Sequence, residues 1–204
     1  MTETLIICSR YPEAGKTKTR MIPALGAVGA AELQRQMTQH TIKIAKQLQL
    51  FRQISIEVYF AGGSRELMSK WLGKDFNYYP QPEGDLGFKM QSAFERAFNL
   101  GQNRVVTIGI DCPDIDLDIL QQAFDSLKNR DLVLGPAIDG GYYLIGMKTL
   151  IPELFADINW GTSEVFTKTQ QIADNLQLKT TYLTTLRDVD RPEDLFIWQK
   201  HRVL

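Results

Sequence analysis

Cysteine is scarce in this chain: Cys8 and Cys112 are the two present among 204 residues. That excludes a disulfide framework and suits a reducing compartment. Histidine is as sparse, with His40 and His201 both in stretches of helical pattern and away from every motif below. Zinc ligation of the His/Cys kind and Ser-His-Asp catalysis are poorly supported for want of these residues. No apolar run approaches the roughly 18 residues of a membrane span. The opening MTETLIICSR meets an acid at once and passes straight into an apolar run, without the basic region and cleavage site of an export signal. A cytoplasmic location is therefore expected. A net charge of -1 leaves no surplus of either sign, which argues against a general nucleic-acid or membrane-surface binder. Any anionic ligand must be held by a local basic cluster. Repeats, low-complexity tracts and Pro/Ser linkers are lacking too, so residues 1–204 are expected to form a single domain.

What is present alternates between strand-like and helix-like runs, which predicts an α/β fold with a mostly parallel sheet. Strands are expected at Thr4 to Ser9, 54–60, Phe76 to Tyr79, Arg104 to Ile110, Asp131 to Pro136, Tyr142 to Met147 and Leu176 to Tyr182. Helices are expected from Ala30 to Leu50, where Leu33, Met37, Ile44, Ala45 and Leu48 share a core-facing stripe, and from Ser64 to Leu72. Further helices carry the stripes Met90, Ala93, Phe94, Ala97, Phe98 and Leu117, Leu120, Phe124, Leu127, the second capped by Asp116. Thr162 or Ser163 reads as another helix cap, and Asp190 with Glu193 as a capping box before a helix opened by Pro192.

The run RVVTIGI is β-branched and almost wholly apolar, as a strand buried on both faces of a parallel sheet reads. Asp111 follows at its carboxyl end, in GIDCPD. Ligands of open α/β sheets bind in the crevice beyond such ends, so an acid there is placed for a metal or a hydroxyl. The competing reading is that Asp111 and Asp114 only turn the chain.

Three other stretches bear on that choice. RYPEAGKTKTRMIPALG is a polar loop carrying Arg10, Gly15, Lys16, Lys18 and Arg20, able to lay cations and backbone N–H groups along a polyphosphate, or to be simply a solvated charged loop. Its GKT is not a P-loop, because Arg10 stands where that motif needs a glycine. QPEGDLGFKM, with Gly84 and Asp85, offers the amino terminus of a helix to a ribose, base or phosphate, or else Asp85 only caps the helix. AIDGGYYLIGM reads first as a hairpin turn; alternatively Gly140 and Gly141 let backbone approach a ligand that Asp139 faces. Asp188, in RDVDRPEDL, is harder to explain as punctuation than Asp190. Carboxylates beside a basic loop are how proteins handle Mg²⁺ or Mn²⁺ on nucleotide phosphates.

Taken together and in order, YPEAGKTKTRM, QPEGDLGFKM, GIDCPD, GPAIDGGYYLIG, the NW before a helix start and DVDRPEDL resemble the small GT-A-type nucleotide-diphospho-sugar transferases of the arsenosugar-biosynthesis glycosyltransferase type. Molybdenum-cofactor and phospholactate guanylyltransferases are related to them. The resemblance implies a three-layer αβα sandwich of the GT-A fold. It implies a nucleotide held by Ser9, Arg10, Gly15, Lys16, Lys18, Arg20, Gly84 and Asp85, and Mg²⁺ or Mn²⁺ at Asp111 with Asp188 or Asp190. It further implies Asp139 and Asp111 as catalytic residues, and an acceptor side at Gly140, Gly141 and Trp160. The pattern departs from the family's DxD motif, since Pro113 occupies the position of the second acid.

Three functions compete. The first is a metal-dependent glycosyltransferase moving a sugar from a nucleotide sugar to a small-molecule acceptor. The second is a nucleotidyltransferase using an NTP and a small phosphorylated substrate; it is weakened because Ala24 follows Pro23 where such enzymes usually carry Pro-Lys. The third is a nucleotide-binding module without turnover. Donor sugar, base, acceptor and oligomeric state have no residue signature.

Overall fold

The computed structural model of the protein describes residues 2–201. Its centre is β1 (Glu3–Arg10), where Leu5, Ile6 and Ile7 are fully buried. Leu5 and Ile7 face one apolar cluster and Ile6 the other, as the two-residue repeat of a strand requires. Burying each contributes about 2 kcal/mol. β1 pairs in parallel with β2 (Ile54–Ala61) on one side and with β4 (Arg104–Ile108) on the other. With β3 (Asn77–Pro80), β5 (Leu132–Pro136), β6 (Tyr142–Met147) and β7 (Thr180–Tyr182) they form a seven-stranded sheet in the order β3-β2-β1-β4-β6-β5-β7. All pairings are parallel except those of β6, which runs against both β4 and β5.

Helices cover both faces. α1 (Ile22–Phe51), α2 (Arg65–Leu72), α4 (Leu117–Ser126) and α6 (Leu195–Gln199) pack their apolar stripes on one face. α3 (Leu86–Asn99) and α5 (Val165–Asn175) cover the other. The result is the expected three-layer α/β sandwich. Ser64, Asp85 and Asp116 each accept a hydrogen bond from a backbone N–H of the first helical turn, which fixes where α2, α3 and α4 begin.

Several boundaries differ from expectation. α1 starts at Ile22, well before Ala30, because Pro23 suits the first turn; the helix is interrupted at Gly26, whose φ of 70° leaves the helical region. β4 stops at Ile108, two residues before the end of its apolar run. The last strand is confined to Thr180–Tyr182. No side chain caps α5: Thr162 Oγ1 instead donates to the Asn159 carbonyl, closing the turn before it. At the last helix it is Asp194, not Glu193, whose carboxylate accepts from the N–H groups of Asp190 and Arg191, at 3.3 and 2.9 Å.

Candidate functional site

The chain leaves β1 toward β2 and leaves β4 toward β5, on the opposite side, so a crevice opens between the carboxyl ends of β1 and β4. A cleft of about 720 Å³ lies there, within the range of small-molecule sites. Asp111, Asp139, Asp188 and Asp190 all line it, as do Ser9, Arg10, Lys16, Lys18 and Arg20.

Backbone pairing brings the acids together. Ile138 N–H donates to the Leu186 carbonyl at 2.9 Å and Leu186 N–H to that of Pro136 at 3.0 Å, extending the sheet beyond β5. One turn further, Val189 N–H donates to the carbonyl of Asp111 at 2.8 Å. Asp188 and Asp190 flank that bond on the C-terminal segment. Asp139 is held by its own turn: its Oδ1 accepts from Gly141 N–H at 2.9 Å, leaving Oδ2 available. Asp188 has no cation at ion-pair distance among the described residues. Its carboxyl is pushed above the usual range by partial burial and then by the charges of Asp139, Asp190 and Asp111.

Cations of the N-terminal loop answer the other acids. Lys18 Nζ lies 2.8 Å from Asp111 Oδ1, with only 5% of its side chain exposed, and donates also to the Val189 carbonyl. Its backbone is left-handed, at φ 46° and ψ 44°, which costs a β-carbon-bearing residue about 1 kcal/mol and sets the side chain's direction. Arg20 pairs with Asp190. Lys16 is paired outward with Glu13 at 2.7 Å, although it reaches the rim. Ser9 is buried and shares a 2.9 Å hydrogen bond with Thr38.

Other candidates are placed differently. Gly15, Gly84 and Asp85 lie outside the cleft lining, and Asp85 Oδ1 is occupied by the Phe88 N–H at 2.8 Å, the capping alternative. Gly140 is also outside: a β-carbon there would stand 2.1 Å from the Ser163 carbonyl oxygen, so its glycine serves loop packing. Gly141 and Trp160 do line the cleft, and the Trp160 ring lies where a β-carbon on Gly87 would point.

A divalent ion suits these donors in kind, since all are hard oxygens and the Asp188 carboxylate is disfavoured by partial burial and then by neighbouring negative charge, which a cation would offset. They are not gathered as a ready chelate. Among the described residues no three acidic, His or Cys side chains stand together in position to hold an ion, because Asp111 and Asp190 face Lys18 and Arg20.

Two groups escaped the sequence reading. α1 is not all core: buried Gln34 lines the cleft and donates to the Arg10 carbonyl at 3.2 Å. The signal was a polar residue inside the stripe of Ala30, Leu33 and Met37. The histidines, expected far from the motifs, both touch GIDCPD. His40 Nε2 is 3.0 Å from the Pro113 carbonyl oxygen, and His201 Nε2 is 2.7 Å from Asp114 Oδ1. Asp114 therefore anchors the C-terminal helical end beneath the loop, and no local pattern announces so distant a pairing.

This mostly parallel sheet between two helical layers, cleft at the ends of its central strands, is the nucleotide-diphospho-sugar transferase fold. The chain belongs to the family described as "Uncharacterized protein conserved in bacteria (DUF2064)", whose family model matches residues 43–162. A solved structure from Desulfovibrio desulfuricans G20, provisionally described as a nucleotide-diphospho-sugar transferase, is 31% identical, with a TM-score of 0.91 over 99% of this chain and 89% of that one. The 4-diphosphocytidyl-2C-methyl-D-erythritol synthase of Anaerococcus prevotii DSM 20548 superposes with a TM-score of 0.65 at 10% identity, covering 98% of this chain and 97% of its own. A Mycobacterium tuberculosis H37Rv protein in complex with manganese gives a TM-score of 0.56 at 13% identity, with full coverage of both chains at 100%. These last two show the fold alone. Among curated proteins, no sequence matches the chain.

Proposed function

We propose that residues 1–204 act as one transferase domain, a cytoplasmic enzyme that moves a sugar from a nucleotide-diphosphate donor to a small acceptor. The observation that carries this is the meeting of Asp111, Asp139, Asp188 and Asp190 with Lys18 and Arg20 around one cleft. Lys18, Arg20 and Arg10 would donate to the diphosphate oxygens. Asp111 and Asp188 would hold Mg²⁺ or Mn²⁺, which supplies charge to offset that on the departing diphosphate. In the transfer the bond from the anomeric carbon to the diphosphate oxygen breaks, its electron pair leaving with the nucleoside diphosphate. An acceptor oxygen forms the new bond and its proton passes to Asp139, whose Oδ2 is unengaged. Trp160 and Gly141 would bound the acceptor side. The provisional description of the relative from Desulfovibrio supports the class of donor.

A second reading, nucleotidyl transfer to a small phosphorylated substrate, is favoured by one feature. Pro113 removes the second acid of DxD, and the other acids come instead from the C-terminal segment, Asp188 and Asp190. The two are separated by incubating the protein with nucleotide sugars and, in parallel, with NTPs plus candidate phosphates. Sugar loss from the donor without pyrophosphate is the expected result. Pyrophosphate release from an NTP, with nucleotide sugars untouched, reverses the order.

A further inference from the structure

We propose that the part of the cleft walled by α3, α5, β4 and β6 is a subsite for an uncharged, hydroxyl-bearing ligand, the acceptor of the transfer, hydrogen-bonded by Thr107 Oγ1 and Tyr142 Oη against apolar walls. The cleft's charges are segregated: they come from Arg10 at the end of β1, from the N-terminal loop and from the segments carrying the four acids. Every residue that β4, β6, α3 and α5 contribute to the lining is uncharged, and Met90, Ile145 and Val165 among them are buried. Thr107 stands opposite Ile145 in the β4–β6 register and shares the sheet face of Val105, two residues earlier, which belongs with Ile145 and Met90 to one apolar cluster. Tyr142 packs on that cluster too, its ring edge to face with Trp160 at 6.3 Å.

The two hydroxyls mark the place. Both oxygens are buried, Thr107 being 3% exposed, and neither has a hydrogen-bond partner among the described residues. Buried polar groups are normally paired, because an unpaired one forfeits the bonds it makes in water. Thr4 and Tyr59 carry unpaired hydroxyls as well, but of the residues with such buried atoms only Thr107 and Tyr142 line the cleft, among those described. A hydroxyl both donates and accepts, so the pair suits a ligand alcohol. Burial raises the pKa of the Tyr142 phenol, which therefore stays a neutral donor. A phosphate or carboxylate seated on this wall would lack a cation and be strongly disfavoured. The subsite thus selects neutral acceptors over phosphorylated ones. Asp139, on the turn that leads into Tyr142 and in the same lining, is near at hand for the acceptor's proton.

Calling this ligand an acceptor rests on the transfer reading above, yet the test is one of binding and needs no turnover. Saturation-transfer NMR on the full chain compares cyclohexanol, glycerol and methyl glucoside with cyclohexyl phosphate, glycerol 3-phosphate and glucose 6-phosphate, in the parent, Thr107→Val and Tyr142→Phe. Each substitution keeps the side chain's shape and removes a hydroxyl unpaired among the described residues, so melting temperatures at or above the parent's are expected. Neutral members of the panel should bind the parent and bind both variants several-fold more weakly, while affinity for UDP and GDP is unchanged. Neutral ligands that ignore the parent, or that bind parent and variants alike, overturn the subsite. So does a several-fold loss of UDP or GDP affinity in the variants, which would give this wall to the base, or an equal loss of the phosphorylated members. Transfer from nucleotide sugars with neutral binding untouched by the variants removes the subsite and leaves the transferase reading standing, while the expected binding without transfer does the reverse.

Discussion

The backbone N–H of Val189 donates to the carbonyl of Asp111, across most of the second half of the chain, and so clips the C-terminal segment to the end of β4. That bond sets how far Asp188 and Asp190 can stand from Asp111. The acids are consequently held by main-chain pairing, and replacing one side chain should leave the others in place.

For this reason Asp111→Ala should abolish transfer while the protein still folds. Electrostatic stabilisation lost at the departing diphosphate is worth roughly a hundredfold or more in rate. Loss of the carboxylate also leaves the almost enclosed Lys18 without its anion, so the melting temperature should fall while the protein stays folded, and Asp111→Asn, which keeps an acceptor for Lys18, should lower it less. Product assay and thermal melting on the same preparation decide; full activity in this variant would discard the site.

A pH prediction follows from Asp188. Burial first, then Asp139, Asp190 and Asp111, raise its carboxyl above the ordinary 3.8. The folded chain then binds that proton more tightly than the unfolded chain, so stability falls as pH rises from about 4 through the raised value and stays lowered above it. Asp188→Asn removes the deficit. Its melting temperature should exceed the parent's at pH 7, with the gap closing as pH drops below the ordinary carboxylate range. A gap that is equal at pH 3 and pH 7 would contradict this origin.

Two glycines separate conformational strain from steric conflict. Gly140 and Gly161 both have positive φ, at 90° and 81°, but only at Gly140 would a β-carbon meet another backbone, the Ser163 carbonyl oxygen at 2.1 Å. Gly161→Ala should cost about 1 kcal/mol from the left-handed conformation alone. Gly140→Ala should cost about 3 kcal/mol or more, since the 161–163 loop must move. Urea denaturation of both variants measures the difference, and similar losses would mean the loop yields freely.

The fold was legible because its central strands are β-branched runs bounded by turn formers, and because helix caps such as Asp85 and Asp116 are local signals. The position of Asp111 at a strand end followed from the same pattern. What could not be read is set by contacts between distant segments. His201 with Asp114 and Gly140 against Ser163 leave no mark within a turn or two of sequence. The pairing of Lys18 with Asp111 is of that kind too: either residue alone reads as a charge on a loop, and only the folded chain sets them 2.8 Å apart.

Trp160 yields the last prediction. Its ring occupies the space a side chain on Gly87 would fill, with Nε1 2.3 Å from the β-carbon position, and it meets Tyr142 edge to face at 6.3 Å. Gly87 opens α3 directly after its capping residue Asp85 and Leu86, where a conformation with ordinary φ tolerates alanine. Gly87→Ala therefore strains no backbone; it pushes a half-buried indole aside, at the wall assigned to the acceptor. The melting temperature should fall modestly, because the ring can swing outward. Transfer should weaken mainly through a raised acceptor KM, with donor binding near that of the parent. Tryptophan fluorescence reports the displaced ring independently of activity. An unchanged emission spectrum with unchanged acceptor KM would show that the ring and helix start adjust together, and that this wall does not set acceptor fit.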